Sequence, residues 1–119
     1  MFREALQGVV EGTEGGLAGI LMDSQGIPIE VYHKDETPFD IEAVGVESSP
    51  VLKAIQRATE MLEAGDAREV YFSSEKLVTI IRVLNDEYFM ALALDPSGNF
   101  GKARYLMRCI APRLSEELS

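Results

Sequence analysis

The sequence predicts an α+β domain: a five-stranded antiparallel sheet with helices on both faces, in the order α-β-β-α-β-β-β-α. Between Arg68 and Leu94, three strand-like runs (Val70-Tyr71-Phe72, Leu77 to Leu84 and Tyr88 to Leu94) are separated only by Ser73–Lys76 and Asn85–Glu87. Polar breaks that short are hairpin turns, so the runs form an antiparallel meander. The last two runs are apolar at odd and even positions alike, so neither face of their strands can be left in water. Helical periodicity before, between and after the strand groups supplies the cover, with the first and last helices on one face and the middle helix on the other.

The elements follow in order. Residues 2–10 place Phe2, Leu6, Val9 and Val10 on one side at helical spacing, with Arg3, Glu4, Gln7 and Glu11 on the other. Gly12, Gly15 and Gly16 are expected to end that helix, since glycine accepts the left-handed conformation at a helix C-terminus. Leu17 to Met22 reads as a buried strand, and Asp23-Ser24-Gln25-Gly26 as a turn with Asp first and Gly last. Ile27 to Tyr32 is the return strand. Pro28 cannot donate to a ladder, which puts this strand at a sheet edge. His33 to Pro38 is a polar loop.

The middle helix starts at Asp40, an N-cap preceded by the staple residue Phe39. Its apolar side is Ile41, Val44, Val51 or Leu52, Ile55, Ala58 and Leu62, and it ends at Ala64-Gly65. Pro50 removes one helical bond. Two readings stand: a kinked continuous helix, which is favoured, or two pieces with Ser49 as a cap and Pro50 at the first helical position. After the meander, Asp95 to Asn99 connects to a last helix from about Phe100. Its apolar side is Ala103, Leu106, Met107, Ile110, Leu114 and Leu118, and Pro112 should bend it.

The 119 residues form one domain, residues 1–119, with 46% hydrophobic and 26% charged residues, an ordinary globular balance. A formal charge of −9 argues against nucleic acid and anionic membrane as partners, because both demand clustered cations. No apolar run is long enough to span a bilayer, and Met1-Phe2-Arg3-Glu4 lacks the basic leader and apolar core of a secretory signal. Cys109, the one cysteine, excludes an internal disulfide and fits a reducing cytoplasm. It is expected to be buried or half-buried beside Ile110.

No constellation of catalytic residues stands out, so no enzyme activity, cofactor or metal is expected. Gly12-Thr13-Glu14-Gly15-Gly16 precedes a strand and lacks the lysine of a phosphate loop. Gly98 to Ala103 follows a strand and opens a helix, but Pro96 replaces the first glycine and Ala103 has no hydroxyl for magnesium. Both read as turns. His33, the only histidine, reads as a surface-loop residue, and no metal-ligand spacing exists.

Three segments carry a resemblance. Gly19-Ile20-Leu21-Met22-Asp23-x-x-Gly26-Ile27-Pro28 forms the first hairpin, and Ala58 to Gly65 ends the middle helix. Leu92-Ala93-Leu94-Asp95 then leads to Asn99-Phe100-Gly101-Lys102-Ala103-Arg104. In this order they resemble the Roadblock/dynein light chain family, including its bacterial MglB-like branch, over roughly residues 2 to 118. Pro50 and Pro112 depart from the family pattern.

The resemblance implies that the strands at residues 27–32 and 68–74 are the two sheet edges. It also implies a homodimer, or a heterodimer with a related Roadblock chain, joined through Val70, Tyr71 and Phe72, with Ile55 and Leu62 facing the partner helix. Its further implication is a Ras-like small GTPase as partner, contacted by Glu42, Glu47, Lys53, Arg57 and Glu60. Regulation there would be scaffolding or acceleration of GTP hydrolysis. Arg57, Arg68, Arg82 and Arg104 could each serve as an arginine finger by residue type alone, and none is assigned. The residues themselves agree on one point: Glu69 to Ser73 contains no proline or lysine to block an edge. On the solvated-face reading of the middle helix, Arg57 pairs with Glu60 at i,i+3. The alternative function is a small-ligand sensor of PAS or profilin-like type, which needs a cavity in a covered sheet face, with Thr79 and Arg82 as its inward polar groups.

Overall fold

The computed structural model describes residues 1–119. Its elements run α1 (Phe2–Gly12), β1 (Gly16–Asp23), β2 (Pro28–His33), α2 (Ile41–Met61), β3 (Glu69–Ser73), β4 (Val78–Val83), β5 (Tyr88–Leu94) and α3 (Phe100–Leu118). The five strands form one antiparallel sheet in the order β2-β1-β5-β4-β3, so β2 and β3 are its edges. Chain order and sheet order differ because β5 returns to lie against β1, pairing Gly19 with Leu92 and Leu21 with Met90.

The period-two alternation of the strands divides the core into two layers. Leu21, Ile80, Met90, Leu92 and Leu94 point to one face and meet Leu6, Val9 and Val10 of α1 and Ala103, Met107 and Leu114 of α3. Ala18, Ile20, Met22, Ile81, Phe89, Ala91 and Ala93 point to the other face and meet Ile41 and Leu52 of α2. This is why Leu17–Met22 of β1 and Phe89–Leu94 of β5 carry no polar side chain on either face.

Local chemistry sets the ends of the elements. The Asp23 carboxylate accepts from Gln25 N (2.8 Å) and Ile27 N (3.0 Å), and Gly26 supplies the positive φ of +83° that closes the turn. Asp40 caps α2 through Glu42 N at 3.0 Å, and Asn99 caps α3 through Lys102 N at 3.0 Å.

Several expectations are corrected. Gly12 is the last residue of α1 and is not its left-handed cap; the chain leaves through an extended Thr13 (φ −114°), and the left-handed glycine is Gly15. α2 is one continuous helix through Pro50, as the favoured reading had it, but it stops at Met61, short of Ala64. The residues of α2 that bury against the sheet are Ile41, Gly45, Ser48, Ser49 and Leu52, whereas Val51, Ile55, Ala58 and Leu62 are exposed. A β-carbon on Gly45 would stand 2.3 Å from Met22 Sδ, so only glycine lets the helix lie this close. Ser48 satisfies its buried hydroxyl on the Val44 carbonyl at 2.6 Å. Cys109 is exposed, on the outer side of α3.

Candidate functional site

The sheet is roofed unevenly. α1 and α3 together span the face they cover, but α2 alone lies over β1, β2 and β5 and makes little contact beyond them. The β3 end of that face is left with Val70, Leu77 and Val83 half-buried and Phe72 exposed at 40%. Along the same side of α2 run Val44, Val51, Ile55, Ala58 and Leu62, spaced three, four and seven apart as one helical stripe. Between stripe and strand lies a groove of about 270 Å³ lined by Phe39, Ala43, Val44, Phe72 and Leu77, with Thr79 at its floor. The Thr79 hydroxyl is buried there without a hydrogen-bond partner.

The edge beside this groove has unpaired backbone. Ser74 N bonds to Leu77 O and Val83 N to Arg68 O, which fixes the parity of the β3–β4 ladder. Even-numbered β3 residues bond to β4, so the N–H and C=O groups of Glu69, Tyr71 and Ser73 point away from the sheet. Val70 and Phe72 present side chains on the α2 face, while Tyr71, 52% exposed, lies on the α3 face.

Tyr71 is held in place by contacts that the sequence did not signal. Its ring meets Phe100 edge-to-face with centroids 4.7 Å apart, and the Arg104 guanidinium lies 5.3 Å from the centroid of each ring. Glu69 fixes Arg104 through two contacts, at 2.8 Å to Nε and 2.6 Å to Nη2, and approaches Arg82 at 3.7 Å. Hydrogen bonding and charge from Glu69 raise the Arg104 pKa above its ordinary value. Glu69 and Arg104 are far apart in sequence, and no local pattern relates them.

The charged residues of α2 do not all share a face. A helix turns by about 100° per residue, which groups Glu42, Lys53, Arg57 and Glu60 on the flank away from β3. Glu47 falls on the opposite flank, lining the Phe72 groove. The expected Arg57–Glu60 pair does not form; the ion pairs present join other residues. The largest cleft, about 610 Å³, opens at the C-terminal end of α2 and is lined mostly by polar residues, among them Glu60, Glu63, Asp66 and Asp86. The covered sheet faces are filled by the two apolar layers. Arg82 and Thr79 therefore line no enclosed chamber of the kind a ligand sensor requires.

The glycine segments have a structural role. Asp95 N bonds to Gly15 O and Asn99 N to Glu14 O, both at 2.8 Å, and a β-carbon on Gly15 would stand 2.5 Å from Gly98 Cα. The 95–99 loop thus donates those two amides to carbonyls of the 12–16 loop instead of offering them to a phosphate. His33 is exposed at the end of β2, with Nδ1 2.9 Å from the Lys34 carbonyl. No cluster of three or more His, Cys, Asp or Glu side chains could hold a metal ion. No helix is long and apolar enough to cross a membrane.

A five-stranded antiparallel sheet in the order β2-β1-β5-β4-β3, with α1 and α3 on one face and α2 on the other, is the architecture of Roadblock-like domains. Its backbone is similar to that of a Roadblock/LC7 domain from Streptomyces avermitilis, with 14% identity, a TM-score of 0.86 and coverage of 98% and 96% of the two chains. The gliding protein MglB from Thermus thermophilus has 16% identity, a TM-score of 0.83 and coverage of 96% and 87%. MglC from Myxococcus xanthus is 39% identical over 98% of both chains, with a TM-score of 0.71. No protein-family profile matches the chain, and no curated protein sequence does. The chain belongs to the Roadblock/LC7 family, in the company of MglC and MglB.

Proposed function

We propose that the protein is a non-enzymatic regulator or scaffold of a Ras-like small GTPase, acting as a homodimer in the bacterial cytoplasm. The observation that carries this reading is the open β3 edge lying beside the uncovered apolar flank of α2. An unblocked edge is a template for another strand, and an exposed apolar stripe next to it needs cover. A second copy supplies both. With Glu69, Tyr71 and Ser73 pointing outward, two β3 strands pair antiparallel about Tyr71. Val70 of one copy then falls opposite Phe72 of the other, and Ile55 and Leu62 bring the two α2 helices together.

In such a dimer the flanks carrying Glu42, Lys53, Arg57 and Glu60 face outward and are doubled, which suits a charged docking surface. Glu47 falls on the dimer side and drops out of that surface. With no assigned arginine finger, any acceleration of hydrolysis would come from positioning the GTPase's own groups.

Two experiments test the reading. The tagged protein is used as bait in lysate of the source organism, in parallel with a GTP analogue and with GDP. A small GTPase enriched with the analogue is the expected result, and capture of other proteins with no GTPase in either lane removes the GTPase role. Light scattering on Tyr71→Pro tests the dimer. That substitution deletes an outward N–H and removes no donor from the β3–β4 ladder. A variant still dimeric at micromolar concentration refutes pairing through this edge, and co-purification of a different Roadblock chain would replace the homodimer by a heterodimer.

A further inference from the structure

The other edge of the sheet is built differently. The Lys34 N to Leu17 O bond fixes the β1–β2 ladder so that Val31 and His33 direct their backbone groups away from β1. β2 therefore offers a second template, flanked by exposed Ile27 (57%) and Ile29 (39%). An edge with unpaired backbone and apolar side chains is a self-association hazard. Here it is occupied. Arg3 of α1 reaches across and donates from Nη1 to the outward carbonyl of Val31 at 3.1 Å. Its guanidinium lies 5.4 Å from the centroid of the Tyr32 ring. Tyr32 in turn donates its hydroxyl to Glu11, two turns further along α1. That bond lowers the Glu11 pKa and raises that of Tyr32. α1 is thus strapped to β2 at two points, and the charged group of one strap covers the middle of the edge.

We infer that Arg3 is a gatekeeper: by occupying the Val31 carbonyl it closes the β2 edge to a second copy of this chain, so that the protein cannot propagate into open-ended assemblies. A chain with two free edges adds a further copy at each and grows without limit, whereas one with a single free edge stops at two copies. No comparable side chain covers the outward groups of Tyr71; the charged residue on β3, Glu69, is turned to Arg104 and Arg82. The inference goes beyond the dimer reading and does not depend on it, because it concerns the opposite edge.

Arg3→Ala and Arg3→Met test it, the second keeping a long apolar stem that cannot donate. Both are studied by light scattering from about one to several hundred micromolar and by amide exchange. The expected result is growth beyond the wild-type size in both variants, with the Val31 and His33 amides slowed in the assembled material. A shift of roughly ten-fold in the concentration at which larger species form corresponds to about 1.4 kcal/mol per contact. The same substitutions in the Tyr71→Pro background isolate the β2 edge and should restore self-association there. If the two variants keep the parent size in both backgrounds, Arg3 is no gatekeeper. If Tyr71→Pro alone is indistinguishable from wild type, the β3 reading fails, while the Arg3 comparison still decides its own question against that size.

Discussion

Gly45→Ala sets two energies of opposite sign against each other. In a helix interior, replacing glycine by alanine ordinarily stabilises by about 1 kcal/mol, since alanine has less backbone freedom to lose. At Gly45 the added methyl would stand 2.3 Å from Met22 Sδ and 3.1 Å from Ile20 Cδ1. Met22 and Ile20 are both fully buried in the α2 layer, so a retreat by either displaces other packed side chains. Overpacking a filled core costs about 1–3 kcal/mol, so the net effect is destabilising, by up to about 2 kcal/mol.

Gly8 in α1 is the internal control, because a methyl there would meet nothing within 4 Å. Gly8→Ala should stabilise, and the two substitutions should therefore differ by about 1–3 kcal/mol, the overpacking term alone. Urea unfolding of both variants at one fixed protein concentration reads the difference, since self-association shifts the midpoint. If Gly45→Ala stabilises as much as Gly8→Ala, α2 does not rest on the sheet at Gly45, and the stripe offered to a partner is misplaced with it.

Other outcomes follow from the same contacts. Leu52→Ala removes the large buried side chain in the second half of α2 (5% exposed) and should cost about 2–5 kcal/mol in urea unfolding. Glu69→Ala releases Arg104 and Arg82; faster amide exchange along β3, with the α2 layer unchanged, is expected, and uniform loss of protection would contradict a local role. The Asp95 carboxylate accepts from Ser97 Oγ (2.6 Å) and Ser97 N (2.9 Å), with the hydroxyl bond the larger cause of a pKa below the ordinary 3.8. A depressed folded pKa means that this contribution is present above pH 3.8 and lost as pH falls through the lower folded value. Ser97→Ala should move the Asp95 titration, followed by NMR, back upward.

Most of the fold was legible because strand and helix periods differ and the turns are short. Tyr88 to Leu94 was predicted as a strand buried on both faces, and it lies at the centre of the sheet. Asp40 was legible from capping chemistry, and the helix start near Phe100 from the polar connection before it and the apolar spacing after it; the Asn99 cap emerged only in the structure. The ends of elements were less so. A glycine at position 12 signals a left-handed cap, but Gly16 must lie against the Val10 carbonyl, where a β-carbon would come within 2.4 Å. Close passage of the chain over the last-turn carbonyl of α1, and not a left-handed cap, explains Gly16.

The candidate site was legible only in outline, for a physical reason. Large apolar residues at helical spacing mark a surface that must be covered, and they do not say whether the sheet or a second molecule covers it. In α2 the sequence held both answers at once. Ile41, Gly45, Ser48, Ser49 and Leu52 form one stripe in which small residues admit close approach. Val51, Ile55, Ala58 and Leu62 form the adjacent one, left outside because the sheet surface is already taken, with Val44 half-buried where that stripe begins. Had the bulky stripe faced inward, no small-residue stripe would be needed and α2 would stand further from the sheet. The small residues at positions 45, 48 and 49 are thus the sequence signal that the neighbouring apolar stripe is surplus to the fold. A surplus stripe alongside an open strand edge is what a module assembled from two copies requires, and the Tyr71→Pro experiment asks whether it is used that way.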